Sequence, residues 1–266
     1  MTDASSDKWL AGDAYEAYMG RWSRPLAGKF VEWLRPKPSA HWLEVGCGTG
    51  ALTSTICHLC NPASVVACDP SAPFIQHARR DLRDTRASFV VAGTVTLPGR
   101  DGGFDAVVSG LVLNFLPNSE QSVASMRRRL RPGGLVAAYV WDYAEGMEFL
   151  RYFWNEATAA DPRAAAHDEA RRFPLCRIPA LVSLFRAAGL VQVESGVLEI
   201  PTVFADFADY WTPFLHGTGP APSYVASLDP MDREQLGERL RRRLPAGHDG
   251  RIALRSRAWA VRGVAI

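Results

Sequence analysis

The residues best placed to do chemistry stand at Leu43-Glu44-Val45-Gly46-Cys47-Gly48-Thr49-Gly50, where an apolar run meets glycines at alternate positions. Such glycines let the main chain turn tightly and approach a ligand without Cβ clashes, and a helix that follows offers free amide groups. The spacing is GxGxG. It is not the GxGxxG of a dinucleotide fingerprint, and no Gly-Lys-Ser/Thr follows to cradle a triphosphate. Nineteen positions past Gly50, the run Val65-Val66-Ala67-Cys68-Asp69 ends in a carboxylate. At the tip of a neighbouring strand that acid can accept hydrogen bonds from both hydroxyls of a ribose, and it disfavours a 2′-phosphate. Its plainer role is a helix N-cap before Pro70 and Ser71.

To bring these groups together the chain must supply strands that end at the glycine loop and at Asp69. From about Ser39 to Tyr143, short apolar runs alternate with helical segments, the pattern of a parallel sheet covered by helices. Strands are expected over 41–45, 64–68, 87–92, 104–109 and 135–141, and helices over 51–59, 72–83 and 119–130. Arg131-Pro132-Gly133-Gly134 reads as the stop signal of the last helix. A helix over 179–188, a β run over 191–200 and an alternating run over 251–264 would complete seven strands. The expected fold class is α/β: a doubly wound, seven-stranded, mostly parallel sheet in a single domain spanning 1–266. Capping helices fall in 1–38, the core in 39–143, and lid insertions in 146–178 and 202–250. In the insertions Phe149, Tyr152 and Phe153 share a helical face, and Phe204, Phe207, Trp211 and Phe214 repeat the spacing. Such a stripe is either core or, near the carboxyl ends of parallel strands, the wall of a ligand site.

Charge and composition narrow the function. Thirty basic against 28 acidic residues leave a net charge of +2, too balanced for the phosphate attraction on which nucleic-acid binders rely. No apolar stretch approaches the roughly 20 residues that span a bilayer, and MTDASSDKWL has neither the basic start nor the apolar core of a secretory signal. The cytosol is the expected compartment. Cys47, Cys57, Cys60, Cys68 and Cys176 are odd in number and irregular in spacing, so they form no secreted framework. Cys57-His-Leu-Cys60 has the inner spacing of a zinc knuckle but no second pair of ligands, and no metal is expected.

In these motifs the sequence resembles the class I S-adenosylmethionine-dependent methyltransferases, in particular the small-molecule group similar to the ubiquinone and menaquinone methyltransferases. LEVGCGTG resembles their first motif and Asp69 their acid after the second strand. Phe104-Asp-Ala-Val-Val-Ser109 is similar to the fourth-strand motif, and Leu130-Arg-Pro-Gly-Gly134 to the turn before the fifth strand. The resemblance covers roughly residues 14–143 and implies S-adenosylmethionine as cofactor and S-adenosylhomocysteine as product. It places Glu44, Gly46, Cys47, Gly48, Asp69 and Pro70 around the cofactor, with Ser109 and Asn114 on its methionine side. Gly93-Thr94-Val95 stands where the family has Gly-Asp-Ala, so Thr94 and Val95 would face adenine with a hydroxyl replacing the acid. From the N-terminal helix, Tyr18 and Arg24, with Arg21 as alternate, would grip the cofactor carboxylate.

Transfer from a sulfonium needs alignment of the acceptor and exclusion of water, and no nucleophilic side chain. A general base helps only if the acceptor loses a proton, and Tyr143, Asp142 and His216 are the candidates. No other histidine is given a catalytic role. The aromatic insertions, with Trp154 and Trp211, favour a small, apolar or planar acceptor. The rival classes are a nicotinamide oxidoreductase, disfavoured by the loop spacing, a non-catalytic cofactor-binding module, and a methyltransferase acting on RNA or protein.

Overall fold

A computed structural model describes residues 16–216 and 219–266, so the first fifteen positions of the expected N-terminal cap lie outside it. Seven strands form one sheet: β1 (His41–Val45), β2 (Ser64–Asp69), β3 (Ala87–Val91), β4 (Phe104–Gly110), β5 (Leu130–Trp141), β6 (Val191–Phe204) and β7 (Ile252–Val264). Their order is β3-β2-β1-β4-β5-β7-β6. The first five pair in parallel, with Val45 level with Cys68 and Val107 level with Val136. β7 runs antiparallel. Between β5 and β7 the main-chain bonds go both ways: Gly133 N to Ala265 O at 3.0 Å and Ala265 N to Gly134 O at 2.8 Å.

The first five strands and the helices between them are where the alternation of apolar runs places them, with one difference. The helix before β5 is Ser119–Arg127, and β5 starts at Leu130 instead of Leu135. Arg131-Pro132-Gly133-Gly134 is therefore strand. The cause is long-range: Phe104 N–H donates to Arg129 O, the Ala265 bonds capture Gly133 and Gly134, and an irregularity between Phe104 and Ala106 absorbs the shift in register.

The chain divides into two compact units, each made of three segments. One comprises residues 20–140, 177–198 and 259–266. It opens with α1 (Arg21–Leu34), whose buried Trp22, Leu26, Phe30, Val31 and Leu34 recur at helical spacing. Its sheet is followed in turn by α2 (Ala51–Leu59), α3 (Ala72–Asp81) and α4 (Ser119–Arg127). Phe30, Trp42 and Phe104 are fully buried, and Cys47, Ala67, Ile75, Ala78 and Phe89 form a cluster in this unit.

Of the described residues, the other unit comprises 16–19, 141–176 and, apart from 217–218, 199–258. It carries α5 (Glu148–Ala160), the short α6 (Glu169–Arg172), α8 (Phe207–Trp211), α9 (Pro220–Ser227) and α10 (Pro230–Arg243), whereas α7 (Ile178–Ala187) belongs to the first unit. Its core is aromatic. Phe214 stacks on Phe153 at 4.7 Å and meets Tyr18, Tyr210 and Trp211 at 5.4, 5.3 and 5.8 Å. The buried face of α5 is Phe149, Leu150, Phe153, Trp154 and Ala157, with Tyr152 at its margin. Among the described residues no helix is long and apolar enough to cross a membrane.

Candidate cofactor-binding site

Parallel pairing of β1 with β2 brings the glycine loop and Asp69 to the same end of the sheet. The amides of Gly46 and Cys47 both donate to Cys68 O, at 2.8 and 3.0 Å, which turns the chain sharply out of β1. Two glycines here do different work. At Gly46, φ is +77° and a Cβ would stand 2.6 Å from the Val112 side chain; at Gly48, φ is +52° and a Cβ would meet nothing within 4 Å. The first glycine permits close packing, and the second leaves the backbone open on its side-chain face.

Asp69 ties this loop to α3. Its Oδ2 accepts the Gly48 N–H at 3.1 Å and its Oδ1 accepts the Ser71 N–H at 2.8 Å. Burial raises its pKa, and those two amides pull the other way. The N-cap of α3 is Ser71, whose hydroxyl accepts from Phe74 N, so Asp69 braces the turn one step earlier than the plain capping role would have it. Glu44, buried in β1, accepts the Thr53 hydroxyl of α2 at 2.5 Å. Desolvation pushes its carboxyl up to about 8, Thr53 opposes this and the nearby Asp69 adds to it. The pair fastens the strand before the loop to the helix after it.

At the end of β4, in the same unit, Ser109 is fully buried and its Oγ has no partner, and both amide atoms of Asn114 are shielded without one. Buried polar groups are nearly always satisfied, so these three atoms are available to a polar ligand or to water. After β3, Thr96 N–H donates to Gly93 O at 3.0 Å and closes a turn on which Thr94 is half-buried and Val95 is 84% exposed. Pro70 is exposed. An open amide face, a braced carboxylate, an exposed aliphatic side chain and unpaired hydroxyl and amide groups suit a molecule with ribose, adenine and amino-acid parts.

The remaining expected residues lie partly on α1 and partly in the aromatic unit. Arg24 is exposed on α1, while Arg21 lies over the Trp22 ring at 4.5 Å. Tyr18 sits in the aromatic unit, 6.1 Å from Phe149, and its buried hydroxyl has no partner among the described residues. Asp142 is paired with Arg257, whose Nε and Nη2 donate to Oδ2 at 2.9 and 2.6 Å. Tyr143 is buried 5.7 Å from Phe173, and His216 is exposed. Trp154 is buried and its indole N–H donates to Glu169, whereas Trp211 is half-buried and stacks on Phe207. Three residues escaped sequence reading. Thr53 and Val112 act through tertiary contact alone, and Glu169 is an acid in a four-residue helix with no periodicity to mark it as buried. Among the described residues no group of three or more His, Cys, Asp and Glu could hold a metal.

The strand order, the antiparallel seventh strand, the glycine loop after β1 and the acid at the end of β2 define the class I S-adenosylmethionine-dependent methyltransferases. Residues 43–138 match the family model described as a methyltransferase domain, a family whose methyl donor is S-adenosylmethionine. Over 163 residues it is 33% identical to a malonyl-acyl-carrier-protein O-methyltransferase of Geobacter sulfurreducens, covering 60% of this chain and 59% of that one. The fold is shared at 15% identity with phosphoethanolamine N-methyltransferase 2 of Haemonchus contortus, solved with phosphomonomethylethanolamine and S-adenosylhomocysteine. That likeness has a TM-score of 0.56 and covers 95% of this chain and 56% of that one. The cyclase SpnF is also similar, at 15% identity and a TM-score of 0.55, covering 98% of this chain and 88% of that one. The chain spans 33% of the first curated relative it matches and 59% of the second.

Proposed function

We propose that this protein transfers a methyl group from S-adenosylmethionine to a small, apolar or aromatic acceptor. The observation that carries the cofactor reading is the open backbone at Gly48, one hydrogen bond away from the Asp69 carboxylate. Gly46, Cys47 and Gly48 line the methionine part, with Glu44 holding the loop from behind. Asp69 and Pro70 flank the ribose, Thr94 and Val95 the adenine, and Ser109 and Asn114 give their unpaired groups to the methionine end.

When bound, S-adenosylmethionine supplies a methyl group already activated on a sulfonium. The chain's own task is orientation, and alignment of this kind contributes roughly 7 to 11 kcal/mol without a covalent intermediate. Aromatic side chains of the second unit, Trp211 among them, support an acceptor with a flat or greasy body. The balanced charge supports a small molecule over a nucleic acid. Five free, buried cysteines are in keeping with a reducing compartment such as the cytosol.

Titration calorimetry with S-adenosylhomocysteine should give saturable binding that falls at least tenfold in Asp69→Ala. No heat with the wild type, or no change in the variant, overturns the cofactor site. Because a cyclase shares the fold, turnover needs its own readout: labelled-methyl transfer to a panel of aromatic acceptors, where binding without transfer would return the chain to a non-catalytic role.

A further inference from the structure

Strand β4 ends in a bend that its own sequence makes costly. At Leu111 φ is +61°, and of the described non-glycine residues with a left-handed φ, which also include Arg35, Ser39, Asn61 and Gln192, it is the one with an apolar side chain. Such a backbone crowds the Cβ of an L-residue, and glycine or asparagine would adopt it far more readily. Leu111 is only half-buried, so packing of its side chain offsets little of this. Its surroundings enforce the bend. Leu111 N–H donates to Tyr139 O at 2.8 Å, and Gly110 is pressed so close to Tyr139 that a Cβ would stand 2.6 Å from the phenolic oxygen. Beyond the bend Phe115 N–H donates to Val112 O at 2.8 Å, which closes a single 3-10 turn over Leu113–Phe115. The bend thereby lays Val112 against the glycine loop, where a Cβ on Gly46 would meet it at 2.6 Å. It also stands between Ser109 and Asn114, the two residues of this stretch with shielded, unpartnered polar atoms. Strain of this kind persists only where neighbouring structure over-determines it, and it gathers at ligand sites.

We propose that Leu111 is a positioning residue, whose left-handed backbone sets Val112 on the Gly46 turn and aims the Asn114 amide at the methionine end of the cofactor. It acts through those two residues and makes no contact of its own with the ligand. An extended backbone at 111 would turn the following residues away, so that Val112 leaves Gly46 and the Asn114 amide loses its place. The link to the cofactor rests on the methyltransferase reading; the mechanical coupling of Leu111 to Gly46 through Val112 does not.

The test compares two substitutions in the full chain by calorimetry with S-adenosylhomocysteine and by thermal melting. Valine, branched at Cβ, suits φ +61° worst, whereas asparagine is close to leucine in size and tolerates it. Leu111→Val should lose at least tenfold in affinity, and Leu111→Asn should bind at least fivefold more tightly than Leu111→Val. The drop in melting temperature caused by Gly46→Ala should be smaller on the Leu111→Val background than on the wild type, because Val112 has withdrawn, and should keep its full size on Leu111→Asn. Unchanged affinity in Leu111→Val, or Leu111→Asn binding no better than Leu111→Val, overturns the proposal. So does a Gly46→Ala penalty of equal size on all three backgrounds. Failure of Leu111→Val to fold overturns it as well, since a residue that only aims a loop should not decide folding. Failure of the wild type to bind S-adenosylhomocysteine would instead strike the methyltransferase reading, leaving the coupling to Gly46 to be judged by melting alone.

Discussion

Two glycines two positions apart make opposite demands. Gly46→Ala must seat a methyl group within 2.6 Å of Val112 at a φ of +77°, so it should cost more stability than Gly48→Ala, whose Cβ meets nothing. The left-handed backbone alone costs each variant about 1–2 kcal/mol. Val112→Ala added to Gly46→Ala should recover part of the loss in urea unfolding, and a double mutant no better than the single would remove Val112 as the cause. Glu44 makes a prediction in pH. Its carboxyl is held near 8 when folded against 4.5 ordinarily, so between those values the unfolded chain releases a proton that the folded chain keeps. Stability therefore falls as pH rises through that window and levels off above it. In Glu44→Gln the slope of melting temperature against pH should flatten, and an unchanged slope would refute the assignment. The glycines and Asp69 were legible because only their residue types suit the turn. Val112, Thr53 and Glu169 were not, since nothing in their own neighbourhoods of sequence records which distant group they meet.

Elements of regular period were read nearly to the residue, as β1 and α2 show, while those fixed by distant partners were not. The Arg-Pro-Gly-Gly stretch carries every local sign of a stop, yet Ala265, more than a hundred residues on, recruits it into β5. The face of α5 was placed one position off through Tyr152, because the burial of Leu150 and Trp154 depends on elements that follow much later. After β5, Asp142 lies in a tight turn: Gly146 and Met147 N–H groups donate to its carbonyl, and Arg257 to its carboxylate. Arg257→Ala leaves that buried charge unpaired and should cost about 3–5 kcal/mol in chemical unfolding. A merely structural Asp142 predicts that Asp142→Asn lowers the melting point and leaves turnover per folded molecule intact; a collapse of turnover at full stability would make it the base.

On the scale of the whole molecule, the domain match of residues 43–138 falls inside one unit, and the aromatic insertions fall almost wholly in the other. That is why cofactor chemistry could be read from motifs and acceptor chemistry could not: aromatic spacing in residues 146–178 and 202–250 announces burial without saying what is buried with it. The last segment, residues 259–266, belongs to the unit of the glycine loop and supplies the Ala265 bonds to Gly133 and Gly134. Deleting it should lower the melting temperature and weaken S-adenosylhomocysteine binding together. Loss of neither would show that the edge of β5 holds without it.

The backbone passes from one unit to the other after residues 19, 140, 176, 198 and 258. Neither unit is a contiguous stretch of gene, so recombination cannot lift one out and splice in a replacement. Exchanging a whole unit between relatives requires all five junctions at once, and a single swapped cassette should yield insoluble hybrids.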